Sequence, residues 1–199
     1  MNRALDSTSR RYACALAIAA IAACSSGSSH PDIKLNRSPV KFFDLFAAVK
    51  NPPGDFDRVE AKAFYEVENT KCAPLRKVSG VRDTPHYTMD LPVASVGTAY
   101  RARVAADALV DEDYFGQGTC HWRLLSAGFY FVKKRRGFHV SVAPPAANEV
   151  SSSTPYFSIE SYEDSADQLI DTGLRDKSKI THPEKAFQIE VTAREATRE

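Results

Sequence analysis

Gly118-Thr119-Cys120-His121-Trp122-Arg123-Leu124-Leu125-Ser126-Ala127-Gly128-Phe129-Tyr130-Phe131-Val132-Lys133-Lys134-Arg135-Arg136-Gly137-Phe138-His139-Val140-Ser141-Val142 decides the fold class. Its first part alternates. Cys120, Trp122 and Leu124 fall on one face and His121, Arg123 and Leu125 on the other, the period of two expected of a strand. Beyond Gly128 the run Phe129-Tyr130-Phe131-Val132 continues as a strand, because aromatic and β-branched side chains suit a pleated, packed surface. Lys133 to Gly137 reads as a turn, and Phe138 to Val142 returns as its partner. The unit is a β-hairpin with a basic tip.

The same period extends outward. In Thr98 to Ala106, Tyr100, Ala102 and Val104 share one face and Arg101 and Arg103 the other, as in a strand with one wet side. Tyr87 to Val93 contains Pro92, which cannot donate to a central ladder, so this run is placed at a sheet edge. Phe64 to Glu68 is β-like and leads to Cys72. Val40 to Val49 is apolar enough for a first strand or a short helix, and Asn51-Pro52-Pro53-Gly54 stops it. Thr154 to Glu160 and Ala186 to Thr192 read as later strands, with Glu163 to Ile170 as one short helix between them. The expected fold is mainly β: an antiparallel β-sandwich or open barrel with one or two short helices, in a single β-rich domain over residues 41–195. Eleven Phe and eight Tyr supply ample apolar surface for its core, and no internal repeat is present.

The amino-terminal segment has a different character. Arg3, Arg10 and Arg11 precede an apolar run over residues 13–23, too short for the ~20 residues that cross a bilayer. A basic region, a short apolar stretch and small residues at its end mark a secretory signal peptide, here residues 1–23. The ending Ala22-Ala23-Cys24 resembles the lipobox of bacterial lipoproteins, which implies cleavage before Cys24 and lipid on that cysteine. An ordinary soluble secretory signal is the rival reading. Several acyl chains, at ~0.8 kcal/mol per buried methylene, make a firm anchor. Ser25 following the cysteine resembles outer-membrane sorting, so the expected location is the outer membrane, facing the periplasm. Residues 24–40, with the Ser-, Gly- and Pro-rich SSGSSHPDIKLNRSPV over 25–40, read as the lipidated cysteine and a flexible tether.

Charge and cysteine usage agree with export. Of 26 basic and 25 acidic side chains, residues 1–23 hold three Arg and one Asp, which leaves 23 and 24. Such a balance offers no whole-molecule attraction to nucleic acid. With Cys14 in the signal and Cys24 lipidated, Cys72 and Cys120 remain, most simply as one disulfide in an oxidising compartment. A metal or redox pair is the alternative, but two cysteines so far apart without a C-x-x-C make a poor zinc set.

The chain carries no G-x-S-x-G, H-E-x-x-H, phosphate-loop or dinucleotide fingerprint. Its five histidines, His30, His86, His121, His139 and His182, are scattered. No catalytic, cofactor or metal residue is therefore assigned, and a non-enzymatic protein is expected. Asp111, Glu112 and Asp113 lack the alternating ligands and central glycine of an EF-hand; they read as an exposed acidic loop and a candidate interaction surface. Lys133, Lys134, Arg135 and Arg136 read as a solvated turn or as a docking point for an acidic partner or lipid head groups. Trp122, beside Cys120, is expected to pack on the disulfide at the centre of the sandwich.

The stretch Asp107 to Trp122, whose core reads Asp113-Tyr114-Phe115-Gly116-Gln117-Gly118-Thr119-Cys120-His121-Trp122, resembles one in small proteobacterial envelope lipoproteins. Some of these are similar to the immunity lipoproteins that protect a cell from type VI secreted lipase effectors. The resemblance covers a minority of the chain and names no inhibitory residue. It implies an envelope lipoprotein that binds a protein partner, such as a secreted effector, and blocks it sterically. A structural lipoprotein of an envelope or secretion machine, and a ligand carrier or hydrolase on a β scaffold, are the alternatives.

Overall fold

Much of the period-two alternation becomes strand. A computed structural model describes residues 31–164 and 167–196; the signal segment, Cys24 and the first part of the tether lie outside the described residues. In chain order the strands are β1 (Phe42–Lys50), β2 (Arg58–Val67), β3 (His86–Leu91), β4 (Ala94–Val96), β5 (Ala99–Ala105), β6 (Trp122–Lys133), β7 (Arg136–Val142), β8 (Val150–Ser153), β9 (Tyr156–Phe157), β10 (Ile170–Asp171) and β11 (Phe187–Glu195). One α-helix, α1, spans Ile159–Glu163. One sheet has the order β4-β5-β1-β11-β8, with β9 also on β11; the other has the order β10-β7-β6-β2-β3. Every strand pair is antiparallel except the short one between β10 and β7. Of the two expected architectures the chain adopts the sandwich.

The two inner faces meet in one main core that includes Leu45, Phe129, Phe131, Phe138, Phe187 and Ile189. Tyr65 is buried among them and donates its hydroxyl to the Ala105 carbonyl at 2.7 Å, so its polar end does not go unpaired. At one end Phe56 stands edge-on to Phe131, Phe138 and Tyr162, with ring centroids 5.2, 5.9 and 5.5 Å apart. Edge-to-face pairs of this kind each contribute about 0.5–1.5 kcal/mol beyond their buried area.

β6 carries a feature that simple alternation misses. Its register against β2 shifts between Phe64 and Tyr65, which oppose Ser126 and Leu124, so Leu125 is the extra residue of a β-bulge. Before it the even-numbered Leu124 faces the core; after it the odd-numbered Ala127, Phe129 and Phe131 do. Inserting one residue reverses the facing of all that follow. Leu125 itself is left 44% exposed.

Several expectations change in detail. Val40 to Val49 resolves to strand β1, and β3 is the edge strand that Pro92 suggested. Of the strand expected over Thr154 to Glu160 only Tyr156 and Phe157 pair, as β9, while Ile159 and Glu160 open the helix; β8 ends at Ser153 before that run begins, and Pro155, which has no N–H, stands between the two. The helix also lies earlier than Glu163 to Ile170. Ser158 caps α1 by accepting the Ser161 N–H at 3.0 Å, and Tyr162 anchors it from inside, donating to the Asp55 carbonyl at 2.6 Å. A cap and a buried anchor outweigh the acidic run downstream, whose Glu163 and Asp164 are exposed.

Cys72 and Cys120 form a disulfide with a Cα–Cα distance of 5.3 Å. It ties the single turn after β2 to the segment entering β6. Trp122 is half-buried and packs on it, together with Val67, Tyr114 and Phe115. This cluster is a satellite of the main core, so the tryptophan and disulfide fill one end of the sandwich and not its centre.

Candidate functional site: an arginine face

The basic tip does not project four charges. β6 and β7 are joined by Lys134 and Arg135 alone, and Lys133 and Arg136 are paired ladder residues. Lys133 Nζ donates to the Asp55 carbonyl at 2.9 Å and to Asp57 Oδ1 at 3.3 Å, and lies 5.4 Å from the centre of the Tyr162 ring. Its hydrogen bond to Asp57, followed by that to Tyr162, raises its pKa. Lys134 takes a left-handed backbone with φ 50° and donates its N–H to Asp57 Oδ2 at 2.6 Å. That backbone bond, and then Lys133, holds the Asp57 carboxyl below the usual carboxylate range. Arg136 is buried, and its Nη1 donates to the Ser161 carbonyl at 3.1 Å and to Ser161 Oγ at 2.9 Å. Ser161 Oγ in turn bonds Asp171 Oδ2 at 2.5 Å. The expected four-residue docking patch is thus corrected to two exposed side chains, Lys134 and Arg135. The turn folds down onto Asp55-Phe56-Asp57 and α1, and these take up the other two charges.

The acidic trio is likewise engaged locally. Asp111 accepts the Trp122 N–H at 2.9 Å through Oδ1 and lies 2.7 Å from His121 Nδ1 through Oδ2. Glu112 pairs with Lys34 at 2.6 Å. Asp113 Oδ1 accepts the N–H groups of Phe115 and Gln117 at 3.3 and 3.0 Å. Burial raises the Asp113 carboxyl, but these and neighbouring backbone bonds outweigh it and leave it lowered. The three carboxylates brace the loop that delivers Cys120 and Trp122.

A separate group of cations lies on the outer face of the β4-β5-β1-β11-β8 sheet. The register places Arg103, Asp44 and Arg194 side by side across β5, β1 and β11, with Arg101, Phe46 and Thr192 in the next outward row. Asp44 is buried beneath its neighbours. Its Oδ1 accepts from Arg101 Nη2 at 3.1 Å and from Arg103 Nε at 2.9 Å. Burial pushes the carboxyl up, and the two guanidinium groups more than reverse this, so its pKa falls below the ordinary value. Arg194 and Arg101 lie 4.7 and 5.6 Å from the centre of the Phe46 ring, where its negative face attracts them. Arg101 and Arg103 side chains are still 41% and 40% exposed. The register thus gathers the guanidinium groups of Arg101, Arg103 and Arg194 beside Asp44 and Phe46 on one sheet face, flanked by exposed Val96 and Val150.

Alternation in the sequence put Arg101 and Arg103 on a wet face, but nothing in it joined them to Asp44, Phe46 and Arg194. That union needs the pairing of β1 with β11, from opposite ends of the domain. Asp44 and Phe46 falling on the outward positions of an apolar strand were the available signal.

The histidines have separate settings. His121 meets Asp111, and His182 lies 3.7 Å from Glu160 and 3.6 Å from Glu184. His139 stacks on Tyr130 with ring centroids 4.1 Å apart; burial lowers its pKa to about 4, so it is neutral at pH 7. His30 lies outside the described residues. Among the described residues no group of three His, Cys, Asp or Glu side chains is placed to hold a metal ion. No protein-family model matches the chain, and comparison with curated proteins and with solved structures gives no match either.

Proposed function

We propose that this chain is a lipid-anchored protein-recognition domain of the bacterial envelope. Lipid on Cys24 holds it at the outer membrane, the tether lifts the sandwich into the periplasm, and the arginine face docks on an acidic surface of a protein partner. The partner in this reading is a secreted interbacterial effector, which the rigid domain blocks sterically. The arginine face carries the recognition part. Arginine and aromatic side chains dominate binding energy at protein interfaces, and planar guanidinium groups suit bidentate carboxylate pairing. Asp44 and Phe46 hold the three arginines in place before a partner arrives, which reduces the ordering cost of binding.

The recognition test is capture from an envelope extract containing secreted effectors, comparing the chain with its Arg101→Glu/Arg194→Glu variant. A specific partner that the native chain retains and the variant loses supports the reading. Absence of any specific partner, or equal capture by both, overturns it. The anchor is tested separately by Cys24→Ala, expected to move the protein from the membrane fraction to the soluble one. Unchanged fractionation would remove the lipid from the proposal.

A further inference from the structure

The seam between the sheets opens into a cleft of about 600 Å³, within the roughly 300–1,000 Å³ usual for small-ligand sites. Its origin is in the chain path. β10 covers β7 at Gly137 and Phe138 only. Beyond Asp171 the chain turns away at Gly173, with φ 67°, and Leu174 joins Tyr156 through two backbone bonds of 2.8 Å. A Cβ at Gly173 would lie 2.8 Å from the Tyr156 carbonyl oxygen and 2.9 Å from Pro155 Cβ, so this departure needs glycine. The rest of β7 is therefore left without a strand on the side away from β6, and β8, the edge of the opposite sheet, forms the facing wall.

The lining has an unusual chemistry. Ser141, Ser152, Ser153, Thr154 and Thr172 contribute five hydroxyl-bearing side chains, and Arg175 the one charged group. Among the described residues Arg175 has no carboxylate partner, and none of the five hydroxyls has a side-chain hydrogen bond. The nearby carboxylate, Asp171, is turned to Ser161 and to the Gly173 N–H, at 2.5 and 2.8 Å. His139, stacked on Tyr130, is the aromatic member of the wall.

We propose that this cleft binds an acidic sugar, with the ring hydroxyls on the serine and threonine side chains and the carboxylate on Arg175. Each hydroxyl can donate one hydrogen bond and accept two, as a polyol requires. A guanidinium fork matches one carboxylate. A single cation without a helix N-terminus is a poor match for phosphate. The site is distinct from the arginine face, on β1, β5 and β11, and stands or falls independently of it.

The test titrates the ¹⁵N-labelled full chain with D-glucuronic acid, D-glucose and sodium acetate, following backbone amide shifts. Glucuronate is expected to saturate shifts at Ser141, Ser153, Gly173 and Arg175, with glucose at least tenfold weaker and acetate without saturation. Arg175→Ala, at an exposed position, should reduce glucuronate to the affinity of glucose. The proposal is overturned if glucuronate gives no saturable shift, if its shifts fall outside the cleft, or if Arg175→Ala binds it unchanged. Acetate matching glucuronate would also overturn it, leaving a plain anion site.

Discussion

Lys133-Lys134-Arg135-Arg136 is contiguous in sequence, whereas Arg101, Arg103 and Arg194 come from β5 and β11 and meet only across β1. The contiguous run looks the stronger patch on paper. In the fold it loses Lys133 to Asp57 and Arg136 to Ser161, while Arg101 and Arg103 keep much of their surface and share the buried Asp44 carboxylate, and Arg194 stands over the Phe46 ring. Charge density along a chain and charge presented to a partner are therefore different quantities. A two-residue turn leaves room for few exposed side chains, but a sheet face gathers residues from distant strands at about 5 Å spacing.

Reducing the disulfide sets the scale of this comparison without touching either region. Cys72→Ala/Cys120→Ala should lower unfolding stability by about 4 kcal/mol in the chain-entropy model, for a sequence separation of 48 residues. Native-state binding through the arginine face should persist. If it vanishes while the variant is still folded, the face is not an independent surface. Next in size is Arg136→Ala, which removes a buried guanidinium and its bonds to Ser161. Chemical denaturation should show a loss of about 1.5–3 kcal/mol, against no more than about 1 kcal/mol for the half-exposed Arg101→Ala. Equal losses would break the distinction between the inward and outward arginines.

Asp44→Asn sharpens it from the other side. The native carboxyl titrates below its ordinary value, so its stabilising contribution is present above the unfolded pKa and is lost as pH falls through the lower folded one. Acid titration of the variant should lack that component. The same change raises the net charge of the face and should speed association with an acidic partner at low salt. His139 gives a milder effect in a different window. Its folded pKa, lowered to about 4 by burial, means the unfolded chain takes up protons first. Stability should therefore decline as pH falls from about 6.5 toward 4 and level off below. His139→Gln should flatten that decline; an unchanged slope would assign it to other groups. The smallest effects belong to Lys134→Ala and Arg135→Ala, each within about 0.5 kcal/mol and without effect on partner capture. Loss of capture in either would return the tip to the binding surface.

Local pattern was enough to read the strands around Tyr100-Val104 and Trp122-Leu124 (Cys120 and His121 lie just ahead of β6), because facing in a strand depends on parity alone. It failed at Leu125, where an inserted residue reversed that parity through pairing with β2. It failed again at Ser158, where a single capping hydroxyl moved the helix ahead of the acidic run. Over Asp107 to Trp122 the chain forms a loop braced by Asp111 and Asp113, contacts that alternation along the strand could not foretell.

By itself the sequence determined the sheet-rich class and the inward phase of β5 and of the start of β6, since alternation is a local property; Cys72 with Cys120 was one reading of four cysteines, and the fold brings that pair together. Tertiary structure alone decided which charges face solvent, which strands share a face and where the seam opens. Those depend on strand order, and strand order follows from the closure of one core by residues remote along the chain.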